Sequence, residues 1–513
     1  MAMDNSLRDR IFELALVGSL MALAIVVRLR GIGDQGLRFY DEGTYCRFGT
    51  TLLLGSGKTI FYKPGTAVLM WLAFKAFGHC DSAGLVLSAL VGIATVVLAW
   101  WLVRRIAGRF AAAGTAAAFA AMPYMLFYHR SAMTEANYFF LALASLVFVV
   151  LGLGGSSAGG ILPTMYWLAA GLCGGFGFTV NAPAALIYAL VVLGGLVHLH
   201  VNRAGRRRMA MLLAANAVGF LCGWAVPQII TAPYVSETSV AMSAVHRLGN
   251  VVQFHPRLFW LKYLWGYAGW PVLVLAALGA YGLWKVRHPY RHLLTVLGAG
   301  LFGFYLQTGM SWPRIYFPLV LPVGLMAGLG VQYVLGRWIP RPMARWGVVI
   351  GLCGAMVGYG FEHSLPTLRL HSGYWDAQKF LVDGQAECVI TAHNWGMFTA
   401  FIPAKLIYGG DQLARAFGPD ADTNAPQGCF KWFVDNYGAT HIVIDYFFWK
   451  LLSPSARQRF GEYIRSHPPD KTIPNPVAGD YETLAEDGEP SLSILDDPNA
   501  RFIYIWRVGS PTR

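Results

Sequence analysis

Two adjacent carboxylates, Asp41 and Glu42, stand in the segment RFYDEGTYCRFGTTLLLGSGKTIFYKPGTAVLMWLAFKAFG, which also carries Arg38, Arg47, Lys58 and Lys63. Two later segments hold ionisable residues of the same kinds: HRSAMTEANYFF has Arg130 and Glu135, and SWPRIYFP has Arg314. A hydroxyl nucleophile needs a carboxylate to take its proton. A phosphate-linked lipid needs cations that make charge-assisted hydrogen bonds. Together these residues offer both. Each also has a plainer reading. Acidic residues at a helix start cap it and complement its dipole. Lys63 and Arg47 can snorkel to headgroups, Arg130 and Glu135 can pair with each other, and Arg314 can anchor a helix at the interface.

The elements that position these residues follow from composition. The 513 residues are 56% hydrophobic and 13% charged, with 58 Gly, 17 Trp and a mean hydropathy of +0.46. Soluble domains carry about a quarter charged residues, so a purely cytosolic enzyme is excluded. The apolar content excludes disorder, and no sustained heptad supports a coiled coil. Crossing a bilayer takes roughly 20 apolar residues as helix. Such runs fall near 11–27, 82–103, 111–127, 136–153, 162–179, 183–200, 209–229, 270–285, 292–308, 315–335 and 346–361, about eleven spans. The first follows Arg8 and Arg10 and lacks a small-x-small cleavage site before Arg28, so it reads as a signal anchor.

Charge gives the orientation. With the N-terminus in the cytoplasm, the inner turns receive Arg104, Arg105 and Arg109, then Arg203, Arg206, Arg207 and Arg208. Lys285, Arg287 and Arg291 follow, and finally Arg337, Arg341 and Arg345. The short outer turns hold little beyond Arg130 and Arg314, as the positive-inside rule requires. Much of the net charge of +13 therefore lines cytoplasmic turns and does not mark a nucleic-acid surface, which leaves the positive cluster in the first loop as the anomaly. Outside lie a first loop over 28–81, a second over 230–269, and a tail over 362–513. The first loop has helical spacing over 43–54 and 66–77, too short or too polar to span, which predicts amphipathic helices on the outer membrane surface. Ionisable groups at such a mouth are costly and point to function. In the second loop Glu237, His246, Arg247, His255 and Arg257 sit amid aromatics, a composition that suits a lid or membrane docking equally.

The tail differs. Its runs 387–392, 440–446 and 501–506 read as buried strands, with helical patterns near 374–383, 428–437 and 455–466 between them. The expected architecture is a polytopic α-helical membrane protein, transmembrane over 1–361, with an extracytoplasmic α/β domain over 362–513. Cys46 and Cys80 share the first loop and Cys388 and Cys429 the tail, so two bridges are open in an oxidising compartment.

At these residues the chain resembles the GT-C superfamily of polytopic glycosyltransferases, which includes protein O-mannosyltransferases and the lipid A aminoarabinose transferase. The resemblance lies in order. A first span precedes Asp-Glu, a juxtamembrane helix, a Lys-Pro motif and a second juxtamembrane helix. WWLVRRIAG follows, then Arg130 to Glu135, and PRIYFPLVLPVGLMAG resembles the late Arg-bearing span. It covers residues 10–140 by motif and the rest by architecture. It implies transfer of a sugar from a polyprenyl-phosphate donor to a lipid, glycan or protein acceptor at the outer face of the cell (inner) membrane, with inversion. Asp41 would be the general base. Glu42 and Glu135 would position the acceptor or complete a divalent-metal site for Mg or Mn. Lys63, Arg130 and Arg314, with Arg47, would neutralise the donor phosphate. There are two departures. The family's Lys-Pro-Pro is Lys63-Pro64-Gly65 here, which is expected to loosen the turn. Asn181 stands where a lysine is often found.

Three other classes are weighed. A transporter or flippase of lipid-linked glycans would place polar groups near the midplane of repeated halves, whereas these carboxylates lie at the outer mouth. A receptor-like module would not need so many spans. A polysaccharide ligase or polymerase using the same carriers remains within the enzyme reading.

Overall fold

The computed structural model of the chain describes residues 5–37, 40–55, 59, 61–154, 160–235, 259–306, 313–369, 371–392, 395–398, 400–418, 421, 424–445, 448–449, 452–475 and 498–509. Arg38, Lys58 and the charged residues expected in the second outer loop, Glu237 to Arg257, lie outside the described residues. The chain divides into two compact units. One comprises Met1–Arg30, Gly55–Leu69 and Val86–Leu368, the other Gly31–Leu54, Met70–Leu85 and Arg369–Arg513.

The first unit is helical. Its elements are α1 (Asn5–Leu29), α4 (Asp81–Ala107, from Val86), α5 (Arg109–Ala121), α6 (Pro123–His129), α7 (Glu135–Leu153), α8 (Ile161–Val180), α9 (Pro183–Val201) and α10 (Arg206–Thr231). After them come α11 (Phe259–Ala268), α12 (Trp270–Lys285), α13 (Arg291–Leu306), α14 (Val320–Trp338) and α15 (Pro342–Leu368). Helices α2 (Tyr40–Leu54) and α3 (Pro64–Phe77) occupy the first predicted loop, where the spacing placed them. Among the described residues eight helices are long and apolar enough to cross a membrane, and the α5–α6 pair makes a ninth if its two arms are one span. The protein is a multi-pass membrane protein. Two of the eleven predicted spans are α12 and α13, with 16 residues each. At 1.5 Å per residue they reach about 24 Å, short of the roughly 30 Å hydrocarbon core. The last span runs to Leu368 rather than stopping at 361.

The third predicted span is broken. Helices α5 and α6 meet at 58° because Met122 is extended and Pro123 starts a new helix. Pro123 has no N–H to give the Phe119 carbonyl four residues back. Arg28, wholly buried, supplies the missing donors: its Nη2 lies 2.8 Å from Phe119 O and its Nη1 3.0 Å from Ala120 O. Its Nε donates to His129 Nδ1 at 3.0 Å, which leaves the imidazole proton on Nε2. Arg130 answers in the other direction. Its Nη1 donates to the carbonyls of Val27, Arg28 and Arg30 at 3.0, 3.1 and 3.0 Å, closing the last turn of α1.

Elsewhere in this unit small residues set the packing. On α8, Gly171 and Gly175 are four apart, as are Gly219 and Gly223 on α10. A Cβ at any of the four would run into the facing backbone, that of Asn216 or Phe220 on α10 and Leu168 or Leu172 on α8. Close backbone approach at small-xxx-small faces drives association where lipid removes the hydrophobic incentive. Buried Asn216 adds polar glue, donating to Trp167 O at 2.9 Å and accepting from the Tyr188 hydroxyl.

The second unit holds a five-stranded mixed sheet in the order β2-β1-β3-β5-β4, with β1 (Cys388–Thr391), β2 (Lys405–Tyr408), β3 (His441–Ile444), β4 (Lys471–Pro474) and β5 (Phe502–Arg507). Strand β1 pairs in parallel with β2 and β3, and β5 pairs antiparallel with β3 and β4. Helices α16 (Tyr374–Asp383), α17 (Trp395–Phe398), α18 (Gly410–Ala416), α19 (Ala425–Tyr437) and α20 (Pro454–Ser466) complete it. Ile390, Ile442, Ile444, Phe417, Phe433 and Phe460 form much of its core. All seven cysteines are free thiols, so neither open bridge is formed. Cys388 sits on β1 and Cys429 on α19, and Cys80 Sγ instead lies 3.3 Å from Ser82 Oγ.

His441, on β3, is only 1% exposed, and burial, helped by nearby Arg507, holds its imidazole below the ordinary value. The unfolded chain therefore binds the proton more readily, and stability falls as pH drops through about 6.5. The thermal midpoint of the wild-type protein should decline more steeply than that of His441→Asn between about pH 7.5 and 5.5. Parallel declines would remove His441 from the cause.

Candidate functional site

The second unit positions the acidic pair. Asp41 and Glu42 occupy the first turn of α2, where carboxylates complement the helix dipole. Glu42 is fully buried and Asp41 half-buried. The Tyr45 hydroxyl, one turn on, donates to Asp41 Oδ2 at 3.4 Å. Arg47 is half-buried on the same helix. Cys46 is buried, and burial first, then the charges of Glu42 and Asp81, push its thiol well above the ordinary range. Cys46 is thus an inert core thiol rather than a nucleophile.

Asp81 is a carboxylate that sequence reasoning missed. It is 2% exposed, its Oδ2 has no hydrogen-bond partner among the described residues, and Glu42, Asp376 and Lys379 lie within its electrostatic reach. An acidic first residue of a helix reads as dipole complement, so the sequence carried no signal for it.

The first unit positions the remaining candidates. Lys63 precedes α3 and its carbonyl accepts from Ala67 N at 3.2 Å, which fixes the backbone there. Its Nζ lies 5.8 Å from the Tyr62 ring centroid. Gly65 does not loosen this turn. A Cβ there would meet Thr179 Oγ1 and come within 2.9 Å of Val180 N, so the glycine lets α3 pack against the end of α8. Thr66 Oγ1 seals the contact on Val180 O at 3.1 Å.

Glu135 begins α7 and is 2% exposed. Thr134 Oγ1 donates to its Oε2 at 3.4 Å and accepts from Asn181 Nδ2 at 2.8 Å. Asn181, where a lysine was expected, therefore orients the hydroxyl beside Glu135. Arg314 is half-buried in a short 3-10 helix, Pro313–Leu319. Glu135, Arg314 and the Tyr305 hydroxyl all bear electrostatically on the buried Tyr138 phenol, one turn along α7. Arg130 is 1% exposed and its Nη1 is committed to the end of α1, a duty the sequence did not foretell.

Among the described residues no group of three or more His, Cys, Asp or Glu side chains could hold a metal ion. Glu42 and Glu135 would each offer one carboxylate to a divalent ion, and Mg takes one or two such groups with water and substrate phosphate oxygens completing its shell.

No family model matches the chain, and no curated protein matches it. Solved structures do. ArnT from Cupriavidus metallidurans in the apo state is 15% identical with a TM-score of 0.63, over 97% of this chain and 99% of that one. The same protein bound to undecaprenyl phosphate is 14% identical with a TM-score of 0.62, over 97% and 100%. The Archaeoglobus fulgidus oligosaccharyltransferase in the apo form is 12% identical with a TM-score of 0.61, over 87% and 72%. At such identities the shared property is the fold, and it extends through both units.

Proposed function

From the GT-C fold that this chain shares with membrane glycosyltransferases over nearly its whole length, we propose that it transfers a sugar from a polyprenyl-phosphate donor to an acceptor hydroxyl or phosphate at the outer face of the cell membrane, with inversion. The observation that carries this reading is the fold shared with a protein whose structure holds undecaprenyl phosphate. The buried acidic and basic groups described above support it. The acceptor oxygen forms a bond to the anomeric carbon while its proton passes to the Asp41 carboxylate. The bond from that carbon to the phosphate oxygen breaks, and its electron pair leaves with the lipid phosphate. Glu42 and Glu135 hold the acceptor. Lys63 and Arg314, with Arg47, oppose the charge that grows on the phosphate, where preorganised cations act most strongly. Arg130 positions this end of the fold through α1. No step runs through a metal; the oligosaccharyltransferase above has also been solved with Zn and sulfate, so turnover should be compared with and without added Mg or Mn. The reading places the N-terminus in the cytoplasm and the α/β domain outside.

Purified protein incubated with a panel of polyprenyl-phosphate sugars and acceptors should release the carrier with matching glycosylated product. Movement of lipid without bond cleavage would assign a transporter instead. Lys63→Ala and Arg314→Ala should each lower kcat/KM by about 10- to 100-fold, the loss of a charge-assisted hydrogen bond. Unchanged kinetics in both would remove them from the phosphate site.

A further inference from the structure

Helices α9 and α12 end in the same way, each on an arginine where glycine is the default. After α9, Arg203 N donates to His200 O at 3.0 Å and Ala204 N to Leu199 O at 2.9 Å. After α12, Arg287 N donates to Trp284 O at 3.2 Å and His288 N to Leu283 O at 3.0 Å. This pattern makes both arginines left-handed, with φ of 57° and 51°. A side chain is strained in that conformation, and helices usually stop there on glycine or asparagine. Both arginines are exposed, and neither makes an ion pair or side-chain hydrogen bond among the described residues. The positive-inside rule and the helix dipole are satisfied by a cation elsewhere in the turn. Neither asks for it at the one strained position.

The two turns are fastened to each other and to a third. His288 Nε2 donates to Ile106 O at 3.1 Å, beside Arg105 near the end of α4, while its Nδ1 accepts from Tyr290 N at 3.2 Å. The Tyr290 ring stacks on His198 in the last turn of α9, centroids 5.3 Å apart at 12°. Arg105, Arg203 and Arg287 thus come to one end of the helical unit. Exposed apolar residues lead up to each: Trp101, whose ring is 5.9 Å from the Arg105 guanidinium carbon, Val201, and Trp284 with Val286. The guanidiniums therefore stand at the rim of the lipid-facing surface, at the depth of phospholipid phosphates. The chain offers them little negative charge. Residues 82–134, 136–236 and 238–361 contain no Asp or Glu, and Asp9 and Glu13 are engaged by Arg109 and Arg104.

We infer that Arg203 and Arg287, with Arg105, form a binding site for the phosphate of an anionic phospholipid in the leaflet at this end of the helices. The guanidinium fork matches phosphate oxygens in pairs. The inference does not depend on the function proposed above.

The test uses the full chain in detergent, titrated with phosphatidylglycerol, phosphatidylcholine or undecaprenyl phosphate, with bound lipid counted by native mass spectrometry. Replacing both arginines, as Arg203→Gln with Arg287→Gln or as Arg203→Gly with Arg287→Gly, should lower phosphatidylglycerol affinity about 5-fold per arginine, about 25-fold for the pair. Phosphatidylcholine affinity should not change. Arg203→Lys with Arg287→Lys keeps the charge and should stay within about 3-fold of the wild type. Without phospholipid, the glycine pair should melt at or above the wild-type midpoint, because the strain is gone. Unchanged phosphatidylglycerol affinity in the glutamine pair overturns the inference, as does an equal loss for phosphatidylcholine. A larger loss for undecaprenyl phosphate than for phosphatidylglycerol overturns it too, in favour of a carrier site. A lower midpoint for the glycine pair would make the arginines structural and remove the strain on which the inference stands.

Discussion

Asp41→Asn should lower kcat/KM by at least about 10²–10⁴-fold, the range a general base supplies, while the protein inserts and melts as the wild type does. The substitution keeps the shape and the acceptor oxygen facing Tyr45, and removes only the capacity to take the proton. Asp41 is half-buried, so little of the fold depends on its charge. Glu42→Gln offers the contrast. That side chain is fully buried at the helix start, and its loss should affect acceptor KM more than the chemical step. Released polyprenyl phosphate, measured at several acceptor concentrations, separates the two effects. Full turnover by Asp41→Asn would take the base away from Asp41 and leave the fold assignment standing.

Gly175→Leu should abolish the folded protein or cost well beyond the ~1–3 kcal/mol typical of overpacking. The reason lies in what faces it. The first added carbon meets the Phe220 carbonyl and comes within 2.8 Å of Trp224 N, which are backbone atoms that no rotamer change can move. Relief requires α8 and α10 to part, which also opens the Asn216 bonds to Trp167 and Tyr188. Gly347→Ala on α15 is the matched control, because a Cβ there meets nothing within 4 Å. Removing that glycine should be neutral or gain up to about 1 kcal/mol of helix propensity. Thermal unfolding in one detergent compares them directly. A Gly175→Leu protein that melts with the wild type would show that the two helices do not meet at their glycines.

Hydropathy made the membrane body legible because a bilayer accepts few alternatives to long apolar helices. It did not show straightness. The run through 111–127 is apolar throughout, yet Pro123 divides it. In the tail the three strands read from sequence, β1, β3 and β5, are the inner ones, whose near-continuous burial leaves apolar runs. Strands β2 and β4 form the sheet edges and are half-exposed, so their polar letters hid them.

At the site, residue type was legible and environment was not. Arg130 reads in the sequence as a cation for the donor phosphate or a partner of Glu135, and nothing in HRSAMTEANYFF tells that its guanidinium closes the end of α1. Asp81 was invisible as a candidate, because an acid at a helix start is ordinary until burial and missing partners are seen.

The Arg28 bonds carry a consequence for biosynthesis. Their acceptors, Phe119 and Ala120, are made 91 and 92 residues after the arginine. At about 5–20 residues per second, α1 spends several seconds with a guanidinium at its C-terminal end and only water or headgroups to receive it. Helix α1 therefore cannot settle until α5 has emerged. A ribosome stalled before Pro123 would hold α1 still unanchored, and crosslinks from Arg28 would pass from lipid to protein once the bend is complete.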